Sequence, residues 1–339
     1  MNWLLPSLPP TYEAALRDVE ARRPEARVQA AERLAFVEPA EAARARAALL
    51  RLADDAAPEV RAAAVHALGA HGGEAPARVL AARVDDADAR VRELAVVALA
   101  RVGDDAEARH ALRRALRAEH AEVRFQAVLS YTERFPDDAA TEVAPLLDDA
   151  DAEVRANAAR ALGASQGTDA SALARALSDP SRNVRHEAAI ALARMGAPVP
   201  TDALMDALGN LETVVDALDA LGNPAHQAAA DRVAAMGDAL LRPLSVKAAA
   251  GRALARMGDP RGVVVLRRVL SAWRTDARNA VIATIGELAL IELAADVVRL
   301  AEHPRGIDPE TLRDALRALA PHSEVARAAL ARLVGAPDS

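Results

Sequence analysis

Residues 151–163 read DAEVRANAARALG, and the Val-Arg pair inside this stretch returns along the chain at intervals of 30 to 32 residues. Two short helices and two turns fill a repeat of that length. The sequence therefore predicts an array of helical hairpins in which each unit contacts its neighbours. The pair begins at Val60, Val91, Val123, Val154, Val184 and, with Lys in place of Arg, Val246.

The second helix of each predicted hairpin carries one apolar stripe. Counted from the Val as position 0, positions 4, 5, 7 and 8 are mostly Ala or Leu, which leaves positions 2, 3 and 6 to face outward. A Gly follows each of these helices and is expected to end it in the left-handed conformation. These residues are Gly69, Gly103, Gly163, Gly196 and Gly258. Shorter first helices are predicted at residues 77–84, 106–116, 139–147 and 169–177.

Four of the turns inside the predicted hairpins are acidic, among them Asp85-Asp86-Ala87-Asp88 and Asp148-Asp149-Ala150-Asp151. A carboxylate before a helix accepts hydrogen bonds from its free amides. The same carboxylates lie within reach of the recurring Arg of their own or the adjacent repeat. We therefore expect a ladder of ion pairs along one edge, formed by Arg61, Arg92, Arg124, Arg155 and Arg185.

The phrase Asp-x-x-x-Val-Arg-x-x-Ala-Ala-x-Ala-Leu-Gly resembles the bacterial HEAT-like repeats of the phycobilisome lyase type, over most of the chain. The resemblance implies an all-α fold, a right-handed α-α superhelix or HEAT-like solenoid of about ten helical hairpins. Such arrays serve as scaffolds, pigment-lyase subunits, hydroxylases and base-excision enzymes. The motif is therefore specific for the fold and not for an activity.

The spacing of the motif divides the chain into four segments. An N-terminal arm, residues 1–9, is expected to lie over the first hairpin or to insert into a neighbour. Regular repeats follow at residues 10–196. Residues 197–245 are out of phase and predict a shortened helix pair, a longer first helix at residues 225–241 and a hinge. Repeats resume at residues 246–339 and end in a closing helix at residues 323–334.

Composition excludes several classes of function. The chain has no Cys, so it holds no disulfide, thiolate zinc site or cysteine nucleophile. Its net charge is -7 and only 2% of its residues are aromatic, which disfavours binding to nucleic acid. No apolar run is long enough to cross a membrane. We expect a cytoplasmic protein without a cofactor.

Two short motifs resemble parts of catalytic or metal sites, but the sequence lacks the other parts of such sites. Gly163-Ala164-Ser165-Gln166-Gly167 matches a hydrolase elbow, but a helix and not a strand precedes it. His186-Glu187 is similar to the His-Glu motifs with which deoxyhypusine hydroxylase holds iron. The equivalent positions of the other repeats lack such a pair, so a multi-ligand metal site is not expected. His186 and Glu187 are interpreted as an outward-facing surface pair, and the chain as a non-enzyme.

The outward positions of the second helices form a column that suggests a binding surface. Its apolar members border polar ones, as interface hot spots do. The predicted partner-binding residues are Leu94, Val97, Phe125, Leu129, Arg160, His186 and Ile190. We expect them to bind a helix or extended peptide of a partner protein on the concave face, unless neighbouring helices cover them. The alternative is an enzyme subunit of the bilin-lyase type, with Arg160 and His186 beside a linear tetrapyrrole.

Overall fold

The computed structural model describes residues 11–72, 77–103, 105–165, 167–304 and 306–335. In these ranges the chain forms α-helices, turns and three short 3-10 helices, and it forms no strand. Two compact units are present, Met1–Ala191 and Leu192–Ser339. The prediction of an all-α helical-repeat fold is confirmed. The N-terminal arm, residues 1–9, lies outside the described residues.

The first unit contains six helical hairpins, and the last helix crosses its boundary. The helices are α1 (Tyr12–Asp18), α2 (Pro24–Leu34), α3 (Ala42–Leu52), α4 (Pro58–His71), α5 (Ala77–Arg83), α6 (Ala89–Leu99), α7 (Asp105–Ala115), α8 (Ala121–Arg134), α9 (Pro136–Val143), α10 (Ala152–Leu162), α11 (Ala170–Ala176) and α12 (Arg182–Arg194). A 3-10 helix, Ala144–Asp148, extends α9. The first helices predicted at residues 77–84, 106–116, 139–147 and 169–177 are all present.

The second unit adds four hairpins and a closing helix within the described ranges. Its helices are α13 (Thr201–Ala207), α14 (Val214–Leu221), α15 (Ala230–Asp238), α16 (Leu244–Arg256), α17 (Arg261–Leu270), α18 (Thr275–Leu288), α19 (Ala294–Glu302), α20 (Pro309–Leu319) and α21 (Glu324–Gly335). No helix in the described ranges has both the length and the apolar character needed to span a membrane.

The shortened helix pair predicted in the irregular segment is present as α13 and α14. The prediction of a long first helix at residues 225–241 is wrong. A 3-10 helix, Pro224–Ala229, precedes α15 instead. His226 inside it has non-helical backbone angles, and its ring Nδ1 lies 2.9 Å from Thr201 Oγ1. This inward contact turns the chain away from a continuous α-helix. A hinge in this segment stays a prediction.

The hairpin turns begin their second helices as the acidic sequence predicts. The Asp88 carboxylate accepts hydrogen bonds from the amides of Arg90 and Val91 at the start of α6. Asp151 accepts the equivalent bonds from Glu153 and Val154 at the start of α10. These caps satisfy amides that have no partner within the helix.

The predicted ion-pair ladder is present in the first unit. The Nε and Nη2 atoms of Arg124 donate to the Asp149 carboxylate, each at 2.7 Å. Its Nη1 atom donates to the carbonyls of Ala118 and Glu119 in the turn before its own helix, each at 2.8 Å. Arg61, Arg124 and Arg155 thus join their own turns to the next ones, and Arg92 joins its turn to Glu122 in the first turn of α8. Arg185 donates to the Asp179 and Pro180 carbonyls of its own turn. The pairs are Arg27–Asp55, Arg61–Asp86, Arg92–Glu122, Arg124–Asp149 and Arg155–Asp179.

The ladder lowers the pKa values of its carboxyl groups, and this shift stabilises the fold. Hydrogen bonds from Arg124 hold the pKa of Asp149 below its ordinary value, against burial, which alone would raise it. The pKa values of Asp86 and Asp179 are also lowered: burial, which raises them, is outweighed by the hydrogen bonds and charges of the paired Arg and by a backbone amide. The charged ladder is therefore favoured in the folded state.

The glycines at the ends of the second helices serve two purposes. Gly103, Gly196 and Gly258 have positive φ angles, as predicted for helix ends. Gly69 and Gly163 do not adopt the left-handed conformation, so that part of the prediction is wrong. A Cβ atom on Gly163 would lie only 2.6 Å from the Cα of Ala191. Gly163 is therefore required for the close approach of successive helices.

Candidate protein-binding surface

Helices α6 and α8 lie side by side in the first unit, and each carries apolar residues at outward positions of the repeat. On α8, Phe125 is half-buried and Leu129 is 41% exposed. On α6, Leu94 and Val97 are both half-buried. Residues three or four apart share one face of a helix. We name these four residues, Leu94, Val97, Phe125 and Leu129, the apolar strip.

Polar side chains flank the apolar strip on the neighbouring helices. His66 occupies position 6 on α4 and Arg160 occupies position 6 on α10, and both are exposed. Val97 and Leu129 stand between them at the same position of α6 and α8. An apolar centre with a polar border is the arrangement found at protein interfaces.

The helices that carry the apolar strip are fixed from two directions. Arg92 and Arg124 connect the starts of α6 and α8 to the following turns through the ladder. Asn157, which is buried on α10, donates its Nδ2 to the carbonyl of Phe125 at 2.9 Å. This bond occupies the seam between α8 and α10, so the strip is presented by an ordered helix pair.

His186 and Ile190 do not belong to the exposed surface, so the expectation that they face outward is wrong. Their exposed fractions are 2% and 1%. Positions 2 and 6 are exposed in other repeats, as at Glu93 and Leu129, so the repeat position alone does not decide burial. Side chains of neighbouring helices enclose His186 and Ile190.

Glu187 is buried as well, so the expected outward-facing His-Glu pair is not present. Glu187 accepts a hydrogen bond from Arg160 Nη2 at 2.6 Å. Arg160 remains about half exposed and connects α10 to α12 at the border of the surface. The predicted role of Arg160 in partner binding stays a prediction.

The chemical motifs take structural roles in the part of the chain that the structure covers. The Ser165 hydroxyl donates to the Ala161 carbonyl one turn earlier, at 2.9 Å. Among the described residues, no group of three or more His, Cys, Asp or Glu is arranged to hold a metal ion.

Sequence reasoning missed a set of exposed apolar side chains in the second unit. They lie in the turns before α14, α16 and α18, and their exposed fractions range from 76% to 96%. They are Leu211, Leu240, Leu241 and Trp273. The available signal was the absence of the paired Asp residues that occupy three of the equivalent turns of the first unit, at residues 54–55, 85–86 and 148–149.

A family model described as HEAT repeats matches residues 12–100 and 140–222, just over half of the sequence. The chain belongs to the HEAT-repeat family. The recurring Val-Arg pair, the hairpins and the ladder are thus features of HEAT repeats in this chain. A comparison with curated proteins gives no significant match.

Solved structures with the same type of fold are similar to this HEAT-repeat chain at low identity. YIBA of E. coli has a TM-score of 0.52 and 19% identity, covering 74% of this chain and 94% of that one. Importin beta has a TM-score of 0.53 and 15% identity, covering 95% of this chain and 48% of that one. The CpcE–CpcF complex of phycocyanin lyase from Nostoc sp. has a TM-score of 0.38 and 20% identity, covering 77% and 94%. These likenesses concern the fold alone.

Proposed function

We propose that this HEAT-repeat chain is a non-catalytic scaffold or adaptor that binds a helix or an extended peptide of a partner protein through the apolar strip. The observation that carries the proposal is Leu129, an exposed Leu at the centre of a helix face with three half-buried apolar neighbours. A fold alone does not specify a function, so the proposal rests on this site.

The mechanism is the display of a preformed surface. The ladder and the Asn157–Phe125 bond order α6 and α8 before any partner arrives. A partner therefore loses little binding energy to ordering the scaffold. Complete burial of a fully exposed Leu side chain contributes about 1.5–3 kcal/mol, and Leu129, which is 41% exposed, can supply a part of that when a partner covers it.

The alternative, a bilin-lyase type of subunit, has less support from the described side chains. His186 is buried, and Arg160 is bound to the buried Glu187. These were the residues on which a tetrapyrrole site depended. The scaffold proposal uses side chains that remain accessible.

The proposal is tested by affinity capture from the native lysate with three forms of the protein. Leu129→Arg places a charge at the centre of the apolar strip. Phe36→Arg is the matched control, because Phe36 is an exposed apolar residue of the first unit outside the strip. Leu129→Arg is preferable to Phe125→Ala, since truncation of the half-buried Phe125 also removes packing.

We expect one or more proteins to be retained by the wild type and by Phe36→Arg but lost with Leu129→Arg. All three forms should show the same helical circular dichroism and melting temperature. Identical protein lists for all three forms would refute the role of the apolar strip. Unfolding of Leu129→Arg would show instead that Leu129 belongs to the core.

A further inference from the structure

The second unit carries apolar turns where the first unit carries acidic ones. Leu211 lies before α14, Leu240 and Leu241 lie before α16, and Trp273 lies before α18. These three second helices are successive neighbours. Their preceding turns therefore follow one another along one edge of the unit, which we name the apolar turn edge.

A groove of about 680 Å³ begins at the Trp273 end of this edge. Its apolar lining includes Val264 and Leu270 from α17. Among the described residues, its charged lining consists of one carboxylate, Asp296, and four guanidinium groups: Arg267, Arg268, Arg278 and Arg299. The groove is thus positively charged in a protein whose net charge is -7.

Arg278 stands at the ladder position of its helix. It is the fourth residue of α18, just as Arg124 is the fourth residue of α8. In the described ranges Arg278 has no hydrogen bond or ion pair, and its Nε atom is buried without a partner. Arg124, in contrast, donates to a carboxylate and to two carbonyls.

The neighbouring Asn279 explains why Arg278 has no partner in the next turn among the described residues. The Asn279 Oδ1 atom accepts a hydrogen bond from the Asp308 amide at 3.0 Å, and its Nδ2 donates to the Gly306 carbonyl at 3.4 Å. The connection to the next turn is therefore made without Arg278. Arg278 is partly exposed, so its guanidinium group, which lacks a carboxylate partner in the described ranges, can pair with a carboxylate of a ligand.

The other cations of the groove are already engaged. Arg267 contacts Asp296 at 3.0 Å, and Arg299 contacts the same carboxylate at 3.4 Å. Arg268 pairs with Asp238, which lies outside the groove lining. Among the described lining residues, Arg278 is thus the cation that has a place for a ligand carboxylate.

We propose that the apolar turn edge and its groove bind an extended segment of a partner protein that carries acidic and apolar residues on the same face. A carboxylate of the segment pairs with Arg278, and an apolar side chain packs on Trp273. Neighbouring helices lie about 8–10 Å apart, so the three turns span roughly 16–20 Å. An extended chain of about six residues covers that distance. This site is in the second unit and is independent of the apolar strip.

Charge favours a peptide over nucleic acid as the occupant. A polyanion would need several uncommitted cations, whereas the lining has one Arg without a partner among the described residues. The apolar side chains of the edge would also stay uncovered by a phosphate backbone. A peptide with both carboxylates and apolar side chains satisfies both parts of the site.

The test is fluorescence anisotropy with the full chain and a fluorescein-labelled peptide of about seven residues, in which Glu and Leu share one face of the extended chain and Ser occupies the other. A control peptide has Gln in place of each Glu, and a labelled oligothymidine tests nucleic acid. The variants are Arg278→Gln and Trp273→Ala. Arg317→Gln is the matched control, because Arg317 pairs with Asp314 outside the groove.

We expect the Glu peptide to bind, and Arg278→Gln to weaken it at least about tenfold. Trp273→Ala should also weaken it, while Arg317→Gln should not. Because Arg278 makes no hydrogen bond or ion pair with the described residues, Arg278→Gln should keep the wild-type melting temperature. Equal binding of the Gln peptide, unchanged binding by Arg278→Gln, tighter binding of oligothymidine, or no peptide binding at about 1 mM would each overturn the proposal. If the wild type does not bind the peptide but self-associates, and Trp273→Ala abolishes the self-association, the occupant of the edge is a second copy of the chain and the proposal of a partner protein is overturned.

Discussion

Replacement of Arg124 by Ala would remove four hydrogen bonds that connect two turns of the ladder. Of the hydrogen bonds that the Asp149 carboxylate now accepts, only the one from the Asp151 amide, at 2.9 Å, would remain. The Asp149 side chain is only 8% exposed, so water cannot readily replace the guanidinium. The ladder pair therefore differs from an ordinary surface ion pair.

The expected cost follows from these contacts. An almost enclosed carboxylate without its partner costs about 1–3 kcal/mol, and the loss of two bonds to turn carbonyls adds about 1 kcal/mol. We expect Arg124→Ala to lower the free energy of unfolding by about 2–4 kcal/mol. This lies near the lower end of the range for broken buried pairs, because the Asp151 amide still donates to Asp149.

The assay is urea unfolding followed by far-ultraviolet circular dichroism, with Arg114→Ala as the matched control. Arg114 contacts Asp85 at 3.3 Å, and both side chains are more than half exposed. Its removal should change the free energy of unfolding by no more than about 0.5 kcal/mol. Equal losses for Arg124→Ala and Arg114→Ala would refute the argument that the ladder supports the fold.

Two further predictions concern the ladder and the helix spacing. Because the pKa of Asp149 is lowered in the folded state, its stabilisation is present above the ordinary Asp pKa and is lost as the pH falls. The unfolding free energy should therefore fall below about pH 4, less steeply in Asp149→Asn. Gly163→Ala should cost about 1–3 kcal/mol in urea unfolding, because its Cβ meets Ala191. Gly167→Ala is the control, because Gly167 has open space around it and a φ of 74°, and it should lower the free energy of unfolding by about 1 kcal/mol. A smaller loss of stability for Gly163→Ala than for Gly167→Ala would contradict the packing argument.

The hairpins and the ladder could be predicted because they depend on local and repeated features. The Val-Arg interval sets the length of a hairpin. An Arg at the start of one second helix reaches an Asp in the next turn whenever the repeat length is kept, as Arg61 and Asp86 show. The same pattern at Arg124 and Arg155 gives the same pairs.

Exposure could not be predicted from the repeat position. Leu129 and Ile190 occupy equivalent positions, yet one is exposed and the other is enclosed. The burial of each depends on side chains from neighbouring helices, which no periodicity in one helix reports. Gly163 shows the same limit, because its role is set by its distance from Ala191 and not by its own helix end.

The apolar turn edge was missed for a different reason. The sequence pattern draws attention to residues that recur, whereas Trp273 and Arg278 matter through an interruption of the pattern. Arg278 keeps the ladder position, but Asn279 takes over the connection to the next turn. Only the contacts of both residues show which of the two is left without a partner in the described ranges.

The most direct test of the central claim is site-specific photo-crosslinking in living cells, with a benzophenone amino acid at position 129 or at position 36. Both positions replace exposed apolar residues of the first unit, Leu129 and Phe36. The account predicts a discrete crosslinked protein from position 129 that is absent from position 36. The same adducts from both positions, or none from position 129, would contradict the claim that the apolar strip binds a partner protein.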